Sequence, residues 1–324
     1  MQRTMMSDDE TGPTEHTPEP ASSPSAPPPG PGPLAQCTAA ELVRLASRPL
    51  QAGLYLVATP IGNLGDITLR ALSVLSRADV IYCEDTRHSR TLTAHYGIRT
   101  RLKPYHEHNA EETRPRVMAE IAEGRAVALI SDAGTPLISD PGFKLVRECA
   151  AAGLHVESLP GPSATLAALT SSGLPTDAFM FAGFLPAKSA QRRSRILELK
   201  ALPVTIVLLE APQRIAESLA DLAAVLGPRE AAVARELTKL HETIHRGSLG
   251  DLAAIADAGE MRGEIAIVIA PPAAAEASEE DIRAALSTAL KTMSLRDAAK
   301  AVSDALGVQK VRVYDLGLDL KRRK

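Results

Sequence analysis

From Gly53 onward, short apolar runs alternate with segments whose apolar residues recur at helical spacing. Residues 54–58 form such a run, closed by a cluster of proline, glycine and asparagine, the pattern of a buried strand entering a loop. Asp66 is placed to cap a helix in which Ile67, Leu69, Leu72, Val74 and Leu75 lie near helical spacing. Further buried strands are predicted at Val80–Cys83, Ala126–Ile130, Val156–Leu159, 204–209, 231–234 and Ile265–Ile269. Between them the spacing predicts helices at 113–123, 142–152, 163–172, 191–200, Ile215–Leu226 and 249–258. Alternation of this kind argues for α/β domains with mainly parallel sheets.

Loop-rich residues 173–177 form the best internal boundary, and an Ala/Glu linker follows Pro271 and Pro272. The chain then divides into a head at 1–50, α/β domains at 51–174 and 175–272, and a small helical module at 280–320. That module reads as two helices, 281–290 and Leu295–Leu306, with a tail at 308–316. It has the size of a helix-turn-helix, though a helical pair of this size is more often a packing or dimer element than a nucleic-acid reader.

The head is different in kind. Nine of the 24 prolines fall before residue 35, too little apolar surface accompanies them to offset ordering entropy, and disorder is expected apart from a helical turn or two at 39–46. Residues 1–34 carry −4 of the formal net charge of −3, which leaves +1 for everything after residue 34. A uniformly basic RNA-coating protein is thereby excluded, whereas a local basic patch is not. Aromatic residues make up 3% with no tryptophan, which argues against base-stacking platforms of the RRM or OB type. Cys37, Cys83 and Cys149 are odd in number and widely spaced, which suits a reducing cytoplasm rather than a disulfide framework or zinc site. No apolar stretch approaches the roughly 18 residues of a membrane helix, so no membrane partner is expected.

Candidate chemistry sits in the loops. Residues 58–66, after the first strand, contain two glycines but no dinucleotide fingerprint, leaving a plain turn or a backbone surface for a cofactor. Residues 131–142 follow the strand Ala126–Ile130, where open α/β sheets bind ligands, and hold more turn formers and aspartates than a tight connection needs. Residues 160–164 repeat the arrangement, with Ser163 available as an N-cap. Neither loop contains a P-loop Gly-Lys-Ser/Thr, so phosphoryl transfer has little support. Two polar clusters, 84–88 with Asp85 and Arg87, and 106–109 with His106, His108 and Asn109, read as ion-paired loops or a substrate site. With no third ligand beside His106 and His108, no metal is expected. Lys188, Arg192, Arg193, Arg195 and Lys200 form the strongest positive run, either a solvated helix face or a set of phosphate contacts.

These strings, in this order, resemble one family: Leu54 to Thr68, Glu84 to His88 (Glu-Asp-Thr-Arg-His), Ser131 to Gly142 (Ser-Asp-Ala-Gly-Thr-Pro-Leu-Ile-Ser-Asp-Pro-Gly), Pro160 to Ala164, Gly183 to Pro186, Leu209 to Arg214, Arg235 to Lys239, and Gly263 to Ile265. The chain is similar here to the ribosomal RNA small subunit methyltransferase I family, within the tetrapyrrole-methylase-like S-adenosylmethionine (SAM) enzymes. Gln213 stands where that family usually has His. The resemblance implies two α/β/α domains with SAM in the cleft between them, a homodimer, and 2′-O-methylation of a cytidine ribose in the decoding region of 16S rRNA on the small ribosomal subunit. The cofactor residues it implies are Pro60, Gly62, Ser131, Asp132, Ala133, Gly134, Thr135, Ile138, Ser163 and Ala164, with Leu209, Glu210, Gly263 and Glu264 from the second domain. Methyl transfer needs no metal but needs an acceptor for the hydroxyl proton, and Asp85, His106 and Glu236 are all candidates. Arg87, His108, Asn109, Lys188, Arg192, Arg193 and Arg195 are the candidate substrate contacts. A tetrapyrrole methylase of the same superfamily and a non-catalytic ribosome-assembly factor are the competing readings; the 84–88 and 235–239 strings argue against the tetrapyrrole methylase.

Overall fold

The computed structural model describes residues 32–259, 261–273 and 278–322. The disorder expected for the first 31 residues therefore lies outside the described residues, but residues 33–46 correct the expectation for the rest of the head. They form a 14-residue helix, α1 (Pro33–Ala46), in a unit of its own that ends at Arg48. Pro33 at the first helical position is pre-set for helix, and the Ala- and Leu-rich stretch behind it propagates the helix without burying a residue.

The first sheet is built from β1 (Gly53–Val57), α2 (Leu69–Arg77), β2 (Val80–Cys83), α3 (Thr86–His95), β3 (Leu102–Pro104), α4 (Ala110–Ala122), β4 (Ala126–Ile130), α5 (Phe143–Ala151), β5 (Val156–Leu159) and α6 (Ala164–Ser172). All five strands are parallel, in the order β3-β2-β4-β1-β5. Their side chains alternate between two cores. Tyr55, Val57, Ile81, Ala128 and Ile130 face one, and Leu54, Leu56, Tyr82, Val127 and Leu129 face the other. Burial on both faces is why these strands read as unbroken apolar runs.

Two local expectations change. Ile67 takes extended backbone, so Thr68 rather than Asp66 caps α2, its Oγ1 accepting from the Ala71 amide at 3.1 Å. The polar segment after β2 is a helix, α3, with only Ser89, Leu92 and Thr93 buried, too few to leave an apolar period in the sequence.

The second sheet comprises β6 (Phe179–Phe184), α7 (Ser189–Leu199), β7 (Thr205–Glu210), α8 (Ile215–Leu226), β8 (Glu230–Arg235), β9 (Thr243–Ser248), α9 (Leu249–Asp257) and β10 (Ile265–Ile269), in the order β6-β7-β10-β8-β9. Only β6 and β7 pair parallel, which corrects the expectation of mainly parallel sheets. The connection from β8 to β9 is too short for a crossover helix, so it must return as a hairpin. The C-terminal module has three helices, α10 (Glu279–Ala289), α11 (Leu295–Leu306) and α12 (Lys310–Arg322), around Ile282, Leu286, Val302, Val313 and Leu316. The expected tail is thus the start of α12, whose Val313, Leu316 and Leu320 recur at helical spacing.

One helix crosses the expected boundary at 173–177. Although α6 follows β5 in sequence, it packs on β7, β8 and β10, where Ala168 and Leu169 join Ile61 and the second-sheet residues Val207, Ala232, Ala234, Ala266 and Val268 in one apolar cluster. Alanines on its inner face let the helix approach closely, and Arg246 of β9 donates to the terminal carbonyls of Ser171 and Ser172, the latter at 2.9 Å. Leu169→Ala is expected to destabilise the protein by about 2–5 kcal/mol, the range for a buried leucine that leaves a cavity, as measured by urea unfolding.

Candidate active site

In the first sheet β1 and β4 are neighbours, but the chain leaves β1 toward β2 on one side and leaves β4 toward β5 on the other. Such a reversal opens a crevice at the carboxyl ends of the two strands. Here the two loops are pinned together across it: the Thr59 amide donates to the Gly134 carbonyl at 2.9 Å, and the Gly134 amide returns a bond to the Thr59 carbonyl at 3.0 Å. Gly134 sits at φ +75°, a left-handed conformation that only glycine adopts without strain. Thr135 Oγ1 donates to the Pro162 carbonyl at 3.3 Å, tying in the third loop, and the Ser163 hydroxyl accepts from the Leu166 amide to start α6.

The opposite wall comes from the second sheet. Ile265 at the start of β10 pairs with Glu210 at the end of β7 and Arg235 at the end of β8, so two strands finish and one begins at the same rim. Buried Glu210 accepts from Ser218 Oγ at 2.6 Å and the Ala211 amide at 2.8 Å, and pairs with Arg214. Glu236 accepts from the Glu264 amide at 2.8 Å and Lys239 Nζ at 3.0 Å. The two walls touch at Gly62, where a Cβ would come within 2.5 Å of Lys239 Cγ, and the Asn63 amide donates to Thr238 Oγ1 at 3.1 Å.

Between the walls lies a cavity of about 570 Å³. Ten of the residues singled out for a cofactor line it: Ala133, Gly134, Thr135, Ile138, Ser163, Ala164, Leu209, Glu210, Gly263 and Glu264. Pro60, Gly62, Ser131 and Asp132 do not; Gly62 and Ser131 support the loops from behind. Ile61, inside the loop 58–66 read as a turn or a cofactor surface, lines it too; Asp140, Phe184, Leu237 and Lys239 also line it and were missed, although each stands inside one of the family strings.

Three carboxylates, Glu84, Asp132 and Asp140, gather at the ends of β2 and β4 and repel one another. Burial, reinforced by the charge of Glu84, pushes Asp140 up to about 6, against the opposing hydrogen bond from Ser131. Burial raises Glu84 too. The three expected proton acceptors are disposed differently. Asp85 caps α3, accepting from the Arg87 amide at 2.7 Å and pairing with its guanidinium at 2.9 Å, and these bonds pull it down to about 2. The Glu264 amide, with Lys239, likewise holds Glu236 below the usual carboxylate range. His106 has a buried Nδ1 without a partner, and its amide donates to Asn109 Oδ1 at 2.8 Å. Neither Asp85 nor His106 lines the cavity. His108, 6.1 Å from the His106 ring, is exposed, and Asn109 is engaged with the Pro104 carbonyl.

The basic run on α7 corrects an expectation. Arg192 is 2% exposed, with Nε 2.7 Å from Asp221 and Nη2 3.3 Å from Glu217. It holds α7 on α8 and cannot meet a phosphate without abandoning a buried aspartate. Arg193 also pairs with Asp221, and Arg195 with Glu198, leaving Lys188 exposed at the N-cap.

The model of the Tetrapyrrole (Corrin/Porphyrin) Methylases matches residues 53–253, and that of the RsmI C-terminal HTH domain matches 276–321. A ribosomal RNA small subunit methyltransferase I of Mesorhizobium japonicum is 50% identical over 279 residues, 86% of this chain and 95% of the relative. The chain belongs to the ribosomal RNA small subunit methyltransferase I family. Relatives with the same name from Pseudomonas aeruginosa and Escherichia coli O157:H7 are 47% and 44% identical, over 82% and 83% of this chain and 96% of each relative. Membership makes the protein a methyltransferase. Among solved structures, diphthine synthase (TM-score 0.54, 17% identity, 67% of this chain and 89% of that one) and a cobalt precorrin-4 methyltransferase (0.51, 19%, 67% and 94%) share the fold. The tetrapyrrole-methylase-like α/β architecture is therefore the one expected.

For this family member the raised Asp140 has a consequence for stability. Its folded value of about 6 lies above the ordinary 3.8, so the folded state holds the proton more tightly and rising pH between those values costs stability. Asp140→Asn is expected to be more stable than wild type at pH 8 by on the order of 1 kcal/mol, allowing for partial solvent access. The gain should shrink as pH falls through about 6 and vanish near 4. Urea unfolding across that range checks it.

Proposed function

We propose that this chain transfers a methyl group from SAM to the 2′-hydroxyl of a cytidine ribose in the decoding region of 16S rRNA, on the small ribosomal subunit. The observation that carries this reading is the cleft itself, joined to the family assignment. A cavity of about 570 Å³ falls within the range of small-molecule sites. Its walls offer apolar side chains at Ile61, Ile138, Phe184 and Leu237, and a backbone surface at residues 133–135. The side of Gly134 where a Cβ would stand has only ordinary contacts, with Ile61 Cγ2 at 3.4 Å and the Pro162 carbonyl at 3.7 Å. These features fit SAM, with residues 133–135 and Ser163 holding it from the first sheet and Leu209, Glu210 and Gly263 from the second.

SAM supplies an electrophilic methyl group and needs no metal to do so. The protein has to align the acceptor oxygen and receive its proton. Asp140 is the best placed group: it lines the cleft, and its proton affinity lies nearer neutrality than that of Asp85 or Glu236, both held ionised by their partners. On α7, Arg192 is committed to buried Asp221, whereas exposed Arg193 and Arg195 hold only surface ion pairs and stay available to phosphates. We further propose a homodimer acting in the cytoplasm, where the small ribosomal subunit named for the family is found.

The competing readings predict different products. Incubating the purified protein and labelled SAM with small subunits from a strain lacking the enzyme is expected to label 16S rRNA at one ribose, located by ribose mapping. Label on a base, label on a tetrapyrrole alone, or no transfer would each overturn the reading.

A further inference from the structure

The C-terminal module carries side chains that neither the cleft nor the module's own core uses. Arg296, Lys310, Val311 and Tyr314 line one depression of about 350 Å³ where α11 and α12 meet. Lys300 follows Arg296 by one helical turn and shares its face. Val311 is 71% exposed and Tyr314 39%, an apolar residue and an aromatic ring left open to solvent between cations.

The charge state of this groove differs from that of α7. There each arginine holds a carboxylate, whereas among the described residues Arg296, Lys300 and Lys310 form no ion pair. In the acidic first turn of α10, Asp281 is engaged by its cap Ser278 and Glu279 by Arg283. Unneutralised cations around an exposed aromatic ring complement a ligand that is anionic and carries flat faces. An acidic peptide meets the first condition only. RNA meets both, with phosphates for the cations and an unpaired base for the ring.

We propose that the α11–α12 groove is an RNA-binding surface, with Arg296, Lys300 and Lys310 on phosphates and Tyr314 against a base. The identity of that RNA as the methylation substrate rests on the function proposed above. In a matched helix-turn-helix module this places the start of the last helix on the nucleic acid, the position such modules use for contact.

The test uses the full chain and small subunits over a salt series. Arg296→Gln/Lys300→Gln/Lys310→Gln should weaken binding at least tenfold near 0.1 M salt and lower the log–log slope by roughly 2, about 0.7 for each phosphate left without its cation. Tyr314→Leu should weaken binding severalfold with the slope unchanged, and Tyr314→Phe should restore it. SAM affinity should stay at the wild-type value in all of them, and for methylation KM should rise while kcat holds. Should the triple variant unfold by circular dichroism, the single Lys310→Gln change, expected to lower the slope by about 0.7, decides instead. An unaltered slope in a folded variant overturns the proposal, as it would if the groove served a protein partner. The two readings fail separately: wild type that methylates no ribose sinks the proposed function and leaves the slope to judge the groove, whereas methylating wild type with unaltered variants sinks the groove alone.

Discussion

The site depends on an apolar contact far more than on any polar one. Helix α6 leaves the first sheet yet buries Ala168 and Leu169 against β7, β8 and β10, beside Ile61 from the loop after β1. That cluster fixes the carboxyl edge of one sheet opposite the rim of the other. Polar bonds then refine the spacing: the pair between Thr59 and Gly134 keeps two loops in register, and Gly62 lets the loop pass close to Lys239. Non-directional burial sets the gross geometry and short backbone bonds set its detail, which is the usual division between the two forces.

Within that geometry, chemically identical groups are driven in opposite directions. Asp85 and Asp140 are both aspartates in loops at strand ends. One receives a backbone amide and a guanidinium and stays ionised far below neutrality; the other is half-buried among Glu84 and Asp132 and is raised. The surrounding dielectric and the sign of the neighbours decide the outcome. The same contrast separates the two basic surfaces. The arginines of α7 pair with carboxylates, whereas among the described residues the cations at the start of α11 and α12 form no ion pair. Near-neutral net charge therefore says little about where an anionic substrate is held; what matters is which cations lack an internal partner.

Much of this was legible in the sequence. Strands such as Val80–Cys83 and Ala126–Ile130 announce themselves because a parallel strand buried on both faces is apolar at every position. The glycine and proline loops were legible because positive φ and close approach admit few residue types, whereas the individual residues expected for a cofactor came from the family resemblance. The helix α3 and the short strand β3 left no signal, since each buries too few side chains to impose a period.

What the tertiary structure alone decided concerns partners. Spacing placed Arg192 on a helix face, but only packing showed that face turned inward onto Asp221. Asp140 looked like one turn former among several until folding set it beside Glu84. The second sheet became mixed because β10 inserts between β7 and β8, a long-range pairing that no local pattern encodes. Local propensity and period are properties of a segment, and a sequence carries them openly. Charge state, strand direction and exposure are properties of what a segment meets, and they exist only once the chain has closed on itself.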